Sequence, residues 1–218
     1  MENRREFLKN GLILCLGAGG LMGTVSRVAA FPHADDARWG MIIDTSRCSG
    51  CQSCMVACKL QNKTAEGHFN TSVRGLETGD YPNATFIFDT HICRHCTDAP
   101  CVSACPTGAA FVHESGLVMT DWNRCDGNGA CMDACPYDAR FHDSRFSEKT
   151  DKCDLCLDRI SQGLVPACVE NCPSNARIFG RIDKPEGEFA AYLSAMSLKE
   201  KNLGAVHILQ GKNKKEQK

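Results

Sequence analysis

The apolar stretches of this 218-residue chain are short and set between polar segments punctuated by glycine and proline. The longest comes first: residues 11–25 are apolar but glycine-broken, whereas about twenty apolar residues are needed to cross a bilayer. No later stretch is apolar enough to span one. Residues 110–113 and 117–120 flank Glu114-Ser115-Gly116, a pattern that predicts a short β-hairpin. Within residues 59–92, positions 85–88 predict one strand, and Gly67, Gly75, Gly79 and Pro82 mark the remainder as a long solvated loop. From Lys199 the chain turns polar and basic, so 199–218 reads as a tail, disordered or laid on a partner.

A repeat runs through the second half. Cys105-Pro106-Thr107-Gly108-Ala109-Ala110-Phe111, Cys135-Pro136-Tyr137-Asp138-Ala139-Arg140-Phe141 and Cys172-Pro173-Ser174-Asn175-Ala176-Arg177-Ile178-Phe179 share one pattern. In each, a cysteine leads through a turn into an apolar strand. The segment after the third cysteine of each group, such as that from Cys131 to Cys135, is too short for more than one helical turn. The expected fold class is therefore α+β, with short hairpins, short helices and long loops.

Composition asks what holds such a fold together. Aromatic residues make up only 7% of the chain, so bulky core material is thin, while cysteines number 16. Disulfides, zinc or iron–sulfur clusters are the candidates. With 25 basic against 26 acidic residues, charge points to no polyanionic partner, and nucleic acid is not expected.

Asn3-Arg4-Arg5-Glu6-Phe7-Leu8-Lys9 reads as a twin-arginine export signal, followed by the apolar run and a small-residue end at Val28-Ala29-Ala30. Residues 1–30 are then a signal peptide cleaved after Ala30; the alternative is a retained membrane anchor. Cleavage leaves no transmembrane segment in the mature chain, so any anchor comes from another subunit. The expected location is the periplasm or the exterior face of the cytoplasmic membrane, reached already folded.

Cys15 leaves with the signal, and the other fifteen of the 16 cysteines fall into four groups. Cys48, Cys51, Cys54 and Cys58 are spaced C-x2-C-x2-C-x3-C. Cys93, Cys96, Cys101 and Cys105 follow as C-x2-C-x4-C-x3-C. A third group, Cys125, Cys131 and Cys135, has Asn128 where another cysteine is expected. The fourth is Cys153, Cys156, Cys168 and Cys172. A structural zinc usually takes two close pairs on separate loops, which the first group fits poorly. Its spacing is that of bacterial ferredoxins, in which three close cysteines wrap one cube and the fourth reaches a neighbouring cube. Export would favour disulfides, but the twin-arginine route is associated with proteins that cross folded and cofactor-loaded.

Crossed ligation pairs the groups. The second and third lie close enough for a small two-cluster ferredoxin, which leaves the first to pair with the fourth around the outside. In this nested order an outer module (31–92 and 143–198) holds one cluster on Cys48, Cys51, Cys54 and Cys172 and another on Cys153, Cys156, Cys168 and Cys58. An inner module (93–142) holds one on Cys93, Cys96, Cys101 and Cys135 and another on Cys125, Cys131 and Cys105. The ligand count predicts three [4Fe–4S] clusters and, at the Asn128 vacancy, one [3Fe–4S] cluster. The rival is a fourth [4Fe–4S] cluster with a non-cysteine ligand such as Asp126. Clusters with thiolate ligands are anionic, and Arg47, Arg94, Lys152 and Arg159 beside the ligands are candidate counter-charges. His95 reads as a neighbour of the cluster or a surface residue, not a ligand.

These motifs resemble the four-cluster electron-transfer subunits of the dimethyl sulfoxide reductase family of molybdenum enzymes. The likeness covers residues 39–180. Met41-Ile42-Ile43-Asp44, Cys48-Ser49-Gly50-Cys51-Gln52-Ser53-Cys54, the segment Ala134-Cys135-Pro136-Tyr137 and Pro166-Ala167-Cys168-Val169-Glu170 are most similar to its tetrathionate reductase branch. Polysulfide and thiosulfate reductase subunits and the exported iron–sulfur protein of formate-dependent nitrite reduction are near alternatives. The resemblance implies an electron relay between a membrane-anchor, quinone-reactive subunit and a molybdopterin catalytic subunit. The residues agree with a non-catalytic role: no nucleophile elbow, phosphate loop or dinucleotide fingerprint occurs. The competing expectation is a free-standing periplasmic polyferredoxin, or a subunit of a complex without molybdenum.

Overall fold

The computed structural model describes residues 37–196 and 204–209. The expected signal at 1–30 lies outside the described residues. Strand β1 (Trp39–Asp44) is the structural centre, and Met41, Ile42 and Ile43 are buried on both of its faces. Met41 and Ile43 join the main core, while Ile42 faces a second one. A strand covered on both sides needs an unbroken apolar run, which Trp39-Gly40-Met41-Ile42-Ile43 supplies. At its end Asp44 accepts a hydrogen bond from the Ser46 N–H (3.0 Å), capping a 3-10 turn (Thr45–Arg47) that delivers Cys48.

Helix α1 (Ser53–Asn62) carries Cys54 and Cys58 on one buried face. It exceeds the single turn expected after a third cysteine. The reason is the residue after the fourth: Lys59 follows Cys58, whereas the other groups place Pro106, Pro136 or Pro173 there, and proline cannot continue a helix. The expected solvated loop at 59–92 is also corrected. Strands β2 (Thr71–Thr78) and β3 (Thr85–Ile92) pair antiparallel over their full length, Thr71 opposite Ile92 and Thr78 opposite Thr85.

The following groups keep the expected economy. Helix α2 (Pro100–Ser103) precedes Cys105, and the predicted hairpin forms as β4 (Ala110–Val112) with β5 (Val118–Thr120). Helix α3 (Ala130–Asp133) precedes Cys135, then β6 (Phe141–Asp143) pairs with β7 (Lys149–Asp151). Helices α4 (Leu157–Ser161) and α5 (Ala167–Glu170) lead to Cys172 and β8 (Arg177–Arg181). Helix α6 (Gly187–Ala195) lays Phe189 and Leu193 against Ile42 and Ile178.

Strand β9 (Val206–Leu209) closes the main sheet, whose order is β8-β1-β9, with β8 antiparallel and β9 parallel to β1. Residues 204–209 are thus not part of a polar tail. Val206 is 1% exposed, and Ala205 accepts a hydrogen bond from the Met41 N–H (2.9 Å). The expected division between 142 and 143 falls within the hairpin of β6 and β7. Among the described residues no helix is long and apolar enough to cross a membrane.

Candidate functional site

All fifteen cysteines among the described residues are free thiols. Cys48, Cys51 and Cys54, placed by the turn after β1 and the start of α1, meet Cys172 around a void also lined by Ile43, Val73, Thr90 and Arg177. Its empty space is about 340 Å³, partly open to solvent. Cys93, Cys96 and Cys101 meet Cys135 around a second void of about 320 Å³, with Val118, Ala139 and Arg140 in its wall. Thiols here surround a space. Among the described residues no three His, Cys, Asp or Glu side chains stand where they could hold a single metal ion.

A third set is buried where α1 packs on α5. The Asn62 amide donates to the sulfurs of Cys58 (3.3 Å) and Cys156 (3.9 Å). Burial pushes the Cys156 thiol up to about 11. Burial also raises Cys58, and neighbouring Cys168 and Cys156 add to the shift. Cys153 is raised well above the ordinary thiol value, first by burial and then by Cys58; Cys168 and Cys93 also contribute. Cys153 therefore lies within electrostatic reach of the second void's Cys93.

In the fourth set, Cys125 and Cys131 flank the Thr150 hydroxyl at 3.9 and 3.5 Å. The loop after Cys105 is tied to the Cys125 loop: Arg124 donates to the Thr107 carbonyl (2.8 Å), and the Asp121 N–H donates to that of Ala109 (2.7 Å). Asn128 is exposed, with its side chain occupied in the turn: the amide oxygen accepts from the Ala130 N–H (2.9 Å), and its NH2 donates to Asp126.

The local backbone aims donors at these sulfurs. Three residues after Cys105, Cys135 and Cys172 the chain turns through left-handed Gly108, Asp138 and Asn175, residue types that tolerate this conformation. The turn brings the Ala110 N–H to the Cys105 sulfur (3.4 Å) and the Ala139 N–H to that of Cys135 (3.5 Å). Left-handed His95 and Leu155 likewise bring N–H groups to Cys93 (3.5 Å) and Cys153 (3.3 Å). At Cys105 burial opposes ionisation, but the Ala110 N–H and the Thr107 hydroxyl outweigh it and lower the thiol. The Ser53 hydroxyl, helped by the Ser53 N–H, lowers Cys51. Two buried polar atoms beside the voids, the Thr90 hydroxyl and the Arg140 Nε, have no partner among the described residues. Thiols around a space, donors on their sulfurs and unused hydrogen-bonding capacity at the walls fit an iron–sulfur cluster.

A family model described as a 4Fe-4S dicluster domain matches residues 84–182. A tetrathionate reductase subunit of Salmonella typhimurium is 37% identical over 198 residues, covering 88% of this chain and 79% of that protein. The putative dimethyl sulfoxide reductase iron-sulfur subunit of Halobacterium salinarum is 35% identical over 185 residues, covering 72% of this chain and 71% of its own. The thiosulfate reductase electron transfer subunit PhsB of Salmonella typhi is 42% identical over 149 residues, 67% and 77% of the two chains. This chain belongs to the iron–sulfur subunits of the dimethyl sulfoxide reductase family.

Within that family the dicluster match takes in the second, third and fourth cysteine groups and leaves the first outside it. Of the counter-charges expected beside ligands, two are engaged elsewhere: Arg47 pairs with Glu188 (2.5 Å) and Arg159 with Glu170 (2.6 Å). Arg94 lies over the Tyr137 ring, 5.2 Å from its centroid. Lys152 is buried, its ammonium donating to the carbonyls of Cys153 (2.7 Å) and Val118. Adjacency in sequence missed Arg140 and Arg177, which are 3% and 5% exposed. Their signal was present in the repeat, where Ala139-Arg140 and Ala176-Arg177 follow a Cys-Pro step at one spacing. His95 is not at the surface. Its Nδ1 accepts from the Val118 N–H (3.1 Å), and burial, with Lys152 and Arg140 nearby, keeps the imidazole neutral.

Proposed function

We propose that this chain relays electrons between a membrane quinone-reactive subunit and a molybdopterin catalytic subunit of an exported anaerobic reductase of tetrathionate, polysulfide or thiosulfate type. The observation that carries the reading is the succession of thiol sets through one small fold, with Cys153 of one set and Cys93 of the next in the same buried core cluster. Similarity to a tetrathionate reductase subunit, to a dimethyl sulfoxide reductase iron–sulfur subunit and to an electron transfer subunit of thiosulfate reductase supports it.

The sets proposed to hold clusters are Cys48, Cys51, Cys54 and Cys172; Cys153, Cys156, Cys168 and Cys58; Cys93, Cys96, Cys101 and Cys135; and Cys125, Cys131 and Cys105. Bound there, iron–sulfur clusters supply reversible one-electron chemistry. The protein's own part is to enclose the sites in partly buried voids and to donate hydrogen bonds to the sulfurs. Three sets with four thiols suit [4Fe–4S] clusters. The set beside Asn128 has three and suits [3Fe–4S], because a neutral amide is a weak ligand for a soft iron–thiolate site. The twin-arginine pattern in residues 1–30 supports a relay outside the cytoplasmic membrane.

Cys54→Ser in the assembled complex tests the relay. Quinol-dependent reduction of the terminal acceptor should fall at least tenfold, while reduction driven by a dye that feeds the catalytic subunit directly should persist. Unchanged quinol-dependent turnover with that cluster absent, or purification of the chain free of any membrane or molybdopterin subunit, would reject the reading.

A further inference from the structure

Arg140 and Arg177 are buried guanidinium groups, and among the described residues neither pairs with a carboxylate. Removing a cation from water costs several kcal/mol unless something negative compensates it. Each lines one void and reaches the thiols of a second set. Arg140 borders the Cys93, Cys96, Cys101 and Cys135 void, donating from Nη2 to the Cys101 sulfur (3.4 Å), and also feels the charge of Cys131. Arg177 borders the Cys48, Cys51, Cys54 and Cys172 void and lies within electrostatic reach of Cys168 of the Asn62 set. Hydroxyls anchor both: Thr120 takes Nη1 of Arg140 (3.0 Å), and Thr71 takes Nη2 of Arg177 (2.9 Å).

The two arginines occupy one position of the repeat, five residues after Cys135 and Cys172, where the Cys105 copy has Ala110 and the residue after Cys58 is already helical. In each pair of thiol sets one guanidinium therefore lines the void of one set and lies within electrostatic reach of the other. We infer that Arg140 and Arg177 are positioning residues for electron transfer, each a permanent positive charge shared by two neighbouring clusters that raises the reduction potential of both. The inference rests on the reading that these thiols hold clusters. Arginine suits the task because it stays charged when buried and its planar fork can serve two sulfur sites at once. Cluster potentials respond to nearby charge and to hydrogen bonds on the sulfurs, so removing the cation makes reduction harder.

The test is an EPR-monitored redox titration of the cluster-loaded full chain, with iron content measured on each sample. Arg140→Gln should lower the potentials of the clusters on Cys93, Cys96, Cys101 and Cys135 and on Cys125, Cys131 and Cys105 by roughly 59 mV or more, about tenfold in the one-electron equilibrium. The other two clusters should shift far less. Arg177→Gln should do the reverse. Arg140→Lys and Arg177→Lys keep the charge and should hold the potentials within about threefold of the parent equilibrium. Full loading with unmoved potentials, equal shifts at all four clusters, or lysine variants that shift like glutamine would overturn the inference. Should a glutamine variant fail to load, the lysine variant decides: its failure to load as well would show that the fork geometry, not the charge, is required. A parent chain without iron–sulfur signals would instead reject the cluster reading itself.

Discussion

At the scale of single residues, Asn128 separates two outcomes for the fourth thiol set. Its side chain closes the turn into α3 through Ala130 and Asp126, so neither group is left pointing at an iron by default. The oxidised protein should show a three-iron EPR signal, and Asn128→Cys should replace it with a four-iron signal on reduction. A parent protein prepared without air that lacks the oxidised three-iron signal would mean that a non-cysteine ligand keeps the fourth iron. Gly50 offers a steric test of the same kind. Its φ is +69°, and a Cβ there would stand 2.2 Å from the Phe88 ring. Gly50→Ala should cost about 1–3 kcal/mol and speed loss of iron to a chelator. Adding Phe88→Leu should recover part of that loss, since the clash goes and the backbone strain stays. The cysteine ligand sets could be proposed from spacing, because ferredoxin-type ligation is written in local intervals. The arginines were less legible: Arg140, just before β6, and Arg177, the first residue of β8, also face cysteines far away in the chain, such as Cys101 and Cys54.

Among the elements, what was legible is what local chemistry dictates. The Cys-Pro steps stop α2, α3 and α5, the left-handed Gly108, Asp138 and Asn175 make the turns, and β4, β6 and β8 follow. Less visible were elements defined by distant partners. The β2 segment reads Thr-Ser-Val-Arg-Gly-Leu-Glu-Thr, and Gly75 at its middle looks like a loop until β3 pairs with it. The β9 burst sits in basic surroundings and gains its meaning only from β1, whose partners Met41 to Asp44 lie far back in the chain. Deleting residues 204–218 should therefore cost at least about 2 kcal/mol, since burying a valine alone contributes about 1.5–3 kcal/mol. Chemical denaturation of the loaded protein measures it; an unchanged midpoint would mean that β9 contributes no stability.

For the molecule as a whole, the buried thiols take the place of larger core side chains: Cys54, Cys93, Cys153 and Cys168 belong to the main cluster of buried residues. Much of its interior is then completed by what those thiols bind, and metal-binding energy becomes folding energy. Anaerobic chelation of iron should collapse the far-ultraviolet circular dichroism; a native-like spectrum in iron-free protein would contradict this dependence. Export belongs to the same scale. Arg4→Lys with Arg5→Lys should trap the chain inside the cell, provided any partner's own signal is also removed, and undiminished export would show that residues 1–30 have been misread. The central claim, that this fold is a chain of redox stops, is tested most directly by a full redox titration of the anaerobically purified protein, followed by EPR and paired with iron and zinc analysis. The account predicts about four one-electron centres, about fifteen irons per chain and no stoichiometric zinc. A zinc-bearing protein without EPR signals, or one with a single two-cluster ferredoxin's worth of iron when fully folded, would contradict it.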